Sequence, residues 1–145
     1  MAELDPPHAG GYRARAEQFV KAAASAVKRH QVTLAKLRDQ PIVAYHRSLP
    51  YLARWLGLKV VVRIEPRPGI PPNPRHVLHV IEVAKSAGVR LVLQESWYPD
   101  KSSKLIASKV GAQVVRLTPG PDFRGGESYL GYIDRLVKQI AQVVQ

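Results

Sequence analysis

No cysteine occurs in the 145 residues, which excludes disulfides, thiolate metal sites and cysteine nucleophiles. It does not fix the compartment. No run of about 18 apolar residues exists, so the reading is no direct membrane insertion. The opening "MAELDPPHAGGY" lacks the basic-then-apolar pattern of a signal peptide. That leaves two readings open, a cytosolic protein or a chain that starts after its signal. Acidic residues are scarce, 11 against 22 Lys and Arg, for a net charge of +11. A basic excess raises the question of a polyanion partner. The positive charges are scattered singly, however, and no zinc finger, aromatic-and-basic RNA-binding run or basic heptad accompanies them. The reading is therefore no nucleic acid. Also missing are a phosphate loop ending in Gly-Lys-Ser/Thr, a GxGxxG after the first strand and a Gly-x-Ser-x-Gly elbow.

What is present has the make-up of a single soluble domain, 46% apolar and 23% charged. The alanine-rich stretch up to residue 40 reads as one long helix. Phe19, Val20, Ala23, Val27, Leu34 and Leu37 recur at spacings near three and four, which predicts a single buried stripe. Pro41 is expected to stop this helix.

Beyond it the chain repeats one pattern four times. The apolar runs "IVAYH", "KVVVRIE", "RLVLQE" and "QVVRL" are each followed by a helical segment. These segments are "SLPYLARWLG", "NPRHVLHVIEVAKSAG", "DKSSKLIASKVG" and "ESYLGYIDRLVKQIAQVV". Gly57, Gly88 and Gly111 stand where C-terminal glycine caps are wanted. Unbroken Val/Ile/Leu runs between helices mean strands covered on both faces. The fold class is α/β: a four-stranded parallel sheet in the order 2-1-3-4, helices on both faces, and a long N-terminal spine helix. Residues 1–40 form the spine and residues 41–145 the α/β lobe.

Ligands of such open sheets bind beyond the carboxyl ends of the strands, where the strand order reverses. The reversal falls between strands one and three. His46 ends the first run, Glu65 the second, Glu95 the third, and Thr118 follows the fourth. An imidazole and a carboxylate flank the switch point, a pair suited to a divalent transition metal or to general acid–base work. The same two residues would equally serve as polar strand ends bonded to their loops. Two ligands are too few for tight binding, so the chain carries half of a site. His76 and His79, three apart on a helix, read as a surface pair without a role, as do His30 and His8. Trp97 and Tyr98, directly after Glu95, either close the loop over the cleft or touch a ligand.

Four segments together resemble the C-terminal half of the zinc- and manganese-binding solute-binding proteins of bacterial ABC transporters. They are "ELDPPHAGGYRARAEQF", "IVAYHRSLPYLARWLGLK", "GIPPNPRHVLHVIEVAKSAGVRLVLQES" and "IASKVGAQVVRL". The resemblance spans essentially the whole chain. It implies a periplasmic or otherwise extracytoplasmic binding protein, not an enzyme, that captures a divalent transition metal for an ABC permease. Zinc is expected first and manganese next, and cell adhesion is a further role that the family brings. It places metal ligands on His46 and Glu95, with Tyr45, Ser96 and Trp97 as supporting or cleft-wall residues. An N-terminal lobe, absent from this chain, would supply the other two ligands. The fragment alone should therefore bind metal weakly or not at all, and its uncovered cleft face favours self-association. One departure stands out: the family's aspartate after the last strand is Thr118 here, with Asp122 four residues on. A cytosolic α/β enzyme or nucleotide-binding domain using the same strand ends is the alternative.

Overall fold

The computed structural model describes residues 1–144. The chain forms two compact units, Met1–Val32 and Thr33–Gln145. The first is nearly all helix: a short 3-10 turn, Pro6–His8, and then most of α1 (Ala9–Leu37). Here the structure corrects the sequence reading. Phe19, Val20 and Val27 are exposed, at 48%, 65% and 45%, so the predicted stripe is not buried along its length. An amphipathic pattern shows which face of a helix is apolar and does not itself cover that face. Only the last turn behaves as expected, with Leu37 in the core of the second unit and Leu34 packed at its edge. Helix α1 ends before Pro41. Asp39 adopts a left-handed conformation (φ 61°), and Pro41 opens the first strand.

In the second unit β1 (Pro41–Ala44), β2 (Lys59–Arg63), β3 (Leu91–Glu95) and β4 (Gln113–Leu117) alternate with helices. These are α2 (Pro50–Leu56), α3 (Pro74–Ser86), α4 (Lys101–Val110) and α5 (Tyr129–Val144). The sheet is parallel throughout and ordered β2-β1-β3-β4, as the crossover argument requires. Pro74 sits in the first turn of α3, where its missing N–H costs nothing, and the Asn73 side chain caps the helix by accepting from the His76 N–H at 2.8 Å. Gly57 closes α2 in the left-handed region (φ 72°). Any side chain there would also press on the Arg38 backbone, since a Cβ would lie 3.3 Å from its Cα.

Period-two alternation along the strands splits the core into two layers. Ile42, Leu91, Leu93, Val115 and Leu117 face one side with Ala53 and Leu56 of α2 and Leu136, Val137 and Ile140 of α5. Val43 and Val92 face the other with Val77, Val80 and Ala84 of α3 and Ile106 and Ala107 of α4. Both faces of β3 are therefore covered, and all five of its residues are buried. This explains why its sequence is apolar until the polar pair Gln94–Glu95 at its end. A buried glutamate at the carboxyl end of the most enclosed strand needs an explanation beyond packing.

Candidate metal centre

Glu95 is the last residue of β3 and 2% exposed. Tyr45 and His46 directly follow β1, the neighbouring strand. The β1–β3 register sets Ala44 beside Leu93, and the Tyr45 N–H donates to the Leu93 carbonyl at 2.8 Å. The segment after β1 thus runs alongside Glu95, and Ser48 within it donates its hydroxyl to Glu95 Oε1. Glu95 Oε2 receives nothing: among the described residues it is the buried side-chain oxygen or nitrogen that has no hydrogen-bond partner. Burial pushes the Glu95 carboxyl above its ordinary value. A hydrogen bond from its own backbone and the His46 imidazole oppose that rise, and the Glu65 carboxylate adds to it.

On the other side of β1, Glu65 lies two residues past β2 and pairs with the His46 ring, its Oε2 against Nδ1. Its second oxygen, Oε1, accepts from the Gly69 N–H at 2.8 Å. The turn making that contact is pinned by pairing between Arg67 and Ile70, with Gly69 at φ 78°. The His46 side chain keeps 22% of its surface open whereas Glu65 keeps 8%, so the imidazole is the reachable member of the pair. Sequence reasoning placed Glu65 at a strand end but did not include it in the site. The available signal was its own position, since the order 2-1-3-4 makes β2 the other neighbour of β1.

Aromatic rings wall the site. Tyr45 and Tyr98 stack with centroids 4.5 Å apart, and His46 lies 5.5 Å from the Tyr98 ring. Burial raises the Tyr45 hydroxyl above its usual range, with Glu65, Tyr98 and Glu95 adding to the effect. Tyr98 is held by Gln94, which is fully buried; its Nε2 donates to the Tyr98 carbonyl at 2.7 Å, while its Oε1 accepts from Ser103 of α4. Trp97, in contrast, is 56% exposed. Ser96 bonds outward through its backbone, its carbonyl accepting from Arg116 at 2.6 Å.

Past β4, the Thr118 hydroxyl donates to the Gly120 carbonyl and accepts from Arg135, both at 3.3 Å. Asp122 faces its own loop, where Oδ1 accepts from the Gly125 N–H at 3.0 Å. His76 bonds to the Arg63 carbonyl at 3.0 Å, a structural tie at the end of β2. Among the described residues, no group of three or more His, Asp or Glu side chains is arranged to hold a metal ion. The donor set at the switch point nonetheless suits one. It offers an imidazole, a buried carboxylate with an unsatisfied oxygen, and no sulfur. Two donors from one lobe can hold only part of a coordination shell. Among the described residues, no helix is long and apolar enough to cross a membrane.

Comparison with known proteins identifies the family and the fold. The family described as zinc-uptake complex component A, periplasmic (ZnuA), matches residues 1–143. A crystal structure of ZnuA superposes with a TM-score of 0.83 at 26% identity, covering 99% of this chain and 54% of that one. A mutant of the laminin-binding adhesin Lmb of Streptococcus agalactiae gives 0.78 at 26%, covering 99% and 55%. A curated protein of Treponema pallidum (strain Nichols), provisionally described as metal-binding, is 22% identical over 99% of this chain and 44% of its own length. The chain spans about half the length of the relatives it matches.

Proposed function

The chain belongs to the periplasmic zinc-uptake component A family of metal-binding solute-binding proteins, and from that premise we propose that it grips a divalent transition metal for delivery to an ABC permease. Zinc is the first cargo and manganese the second, since nitrogen and oxygen donors serve both. His46 and Glu95 are the metal ligands of this lobe, and the protein works outside the cytoplasmic membrane as a carrier and not as a catalyst. Residues 1–40 act as the spine between two lobes and residues 41–145 as one lobe. The second lobe contributes the remaining donors, which is the reason for expecting weak binding or none by this fragment alone.

One observation carries the reading: Glu95 Oε2, buried and unpartnered at the carboxyl end of β3, beside the histidine that follows β1. An orphaned carboxylate oxygen in the core is costly unless a cation answers it. Here the cost falls at the switch point, where open α/β sheets bind their ligands. Capture uses this chain's residues in a defined way. The imidazole offers a lone pair, the carboxylate neutralises charge, and Tyr45 and Tyr98 keep water from competing for the donors.

The test is calorimetric titration of the full-length protein with zinc and with manganese, repeated with His46→Ala. Binding that weakens by more than about 100-fold, beyond what loss of an orienting partner costs, supports the ligand assignment. An unchanged affinity rejects it.

A further inference from the structure

The two carboxylates beside His46 are in opposite states. Glu95 has an oxygen with no partner. Both oxygens of Glu65 are engaged, Oε2 by His46 Nδ1 and Oε1 by the Gly69 N–H. From this contrast we infer that Glu65 is a positioning residue: it fixes the tautomer and orientation of His46 so that Nε2 is the nitrogen offered to the metal. The inference rests on the proposal that His46 is a metal ligand.

The chemistry follows from donor and acceptor counting. An ionised carboxylate can only accept, so the ring nitrogen it touches must carry the proton. A neutral imidazole has one proton, which Glu65 holds on Nδ1, leaving the lone pair on Nε2. A carboxylate behind a ligating imidazole also raises the basicity of the nitrogen facing the metal. Glu65 can do this only if it is itself immobile. It is 9% exposed, and the turn that carries the Gly69 N–H is closed by the Arg67–Ile70 pairing. The sequence "EPRPG" therefore reads as a carboxylate followed by the turn that clamps it. Glu65 follows β2, a strand that contributes no ligand in the proposal, so its role would be to make a single histidine of this lobe bind in one geometry.

The experiment is nitrogen-15 NMR of the His46 ring in the metal-free full-length protein, at a pH where the ring is neutral, together with zinc titrations. In the wild type the proton is expected on Nδ1. In Glu65→Gln the ring should become a mixture of tautomers, and zinc affinity should fall by about 10- to 100-fold, less than in His46→Ala. A wild-type ring protonated on Nε2 overturns the inference without any variant. So does a Glu65→Gln protein that binds zinc as the wild type does, or one that loses affinity with the tautomer unchanged, while His46→Ala still abolishes binding. If His46→Ala leaves binding intact, the ligand assignment itself fails, and the role of Glu65 falls with it.

Discussion

Replacing Glu95 with glutamine should make the metal-free protein more stable and the metal-loaded protein less so. The wild-type carboxylate is 2% exposed, accepts from Ser48 at Oε1 and leaves Oε2 without a partner. A buried polar atom left unsatisfied costs about 1–3 kcal/mol, and more when the group is charged. Glutamine keeps the shape and the acceptor for Ser48 but removes the charge. Its amide nitrogen still lacks an acceptor, so only part of the cost returns, a net gain of about 1–2 kcal/mol at neutral pH. In a full-length protein of its relatives' size, about twice this chain, that raises the Tm by roughly 2–3 °C. The pH dependence has a definite sign. Because burial raises the folded-state pKa of Glu95 above 4.5, the native protein holds its proton longer than the unfolded chain does. Wild-type stability therefore declines as pH rises from about 4.5 through the folded pKa, and the advantage of Glu95→Gln opens over that window. With zinc at about 100 times its Kd the wild type gains about 2.7 kcal/mol, and the order of the two melting points reverses. Thermal melts of the full-length protein with chelator and with zinc measure both halves. A variant that melts below the wild type in chelator would refute the argument from the orphaned oxygen.

Two further outcomes test the surroundings of the site. Gly69→Ala puts a side chain on a residue at φ 78°, which should cost about 1 kcal/mol by strain alone; because open space surrounds that Cβ, the loss should appear in urea unfolding together with zinc affinity weakened in the same direction as by Glu65→Gln. Past the edge strand β4, hydrogen bonds from Arg135 and from the Asp122 N–H hold the Glu127 carboxyl at about 2, well below its ordinary 4.5. Its contribution is present above pH 4.5 and lost as pH falls toward 2, so Glu127→Gln should narrow the difference between neutral and acid melting points; an unchanged acid profile would contradict the assignment.

The sheet was legible because each strand is an unbroken apolar run between helices, and right-handed crossovers leave few orders for four such units. The strand-end rule then brought His46 and Glu95 forward as a pair, since their strands are neighbours across the reversal. The failure along α1 has a physical origin: periodicity reports which face of a helix is apolar, not whether a second layer exists to cover it. Phe19 and Val20 satisfy the pattern and remain exposed. Glu65 escaped for a different reason. Its role depends on the "PRPG" turn bringing a backbone N–H to one oxygen and on the chain after β1 bringing an imidazole to the other. Spacing encodes neither approach. Likewise Tyr98, and not Trp97, walls the site because buried Gln94 ties down the Tyr98 carbonyl, a bond that the residue order does not announce.

The central claim is that this lobe grips its metal through His46 and Glu95, and anomalous diffraction from crystals of the zinc-loaded full-length protein tests it most directly. The account predicts an anomalous peak about 2.0–2.1 Å from His46 Nε2 and about 2.0–2.2 Å from a carboxylate oxygen of Glu95. Zinc bound elsewhere, with the His46 ring still on Glu65 and Glu95 Oε2 still bare, would contradict it.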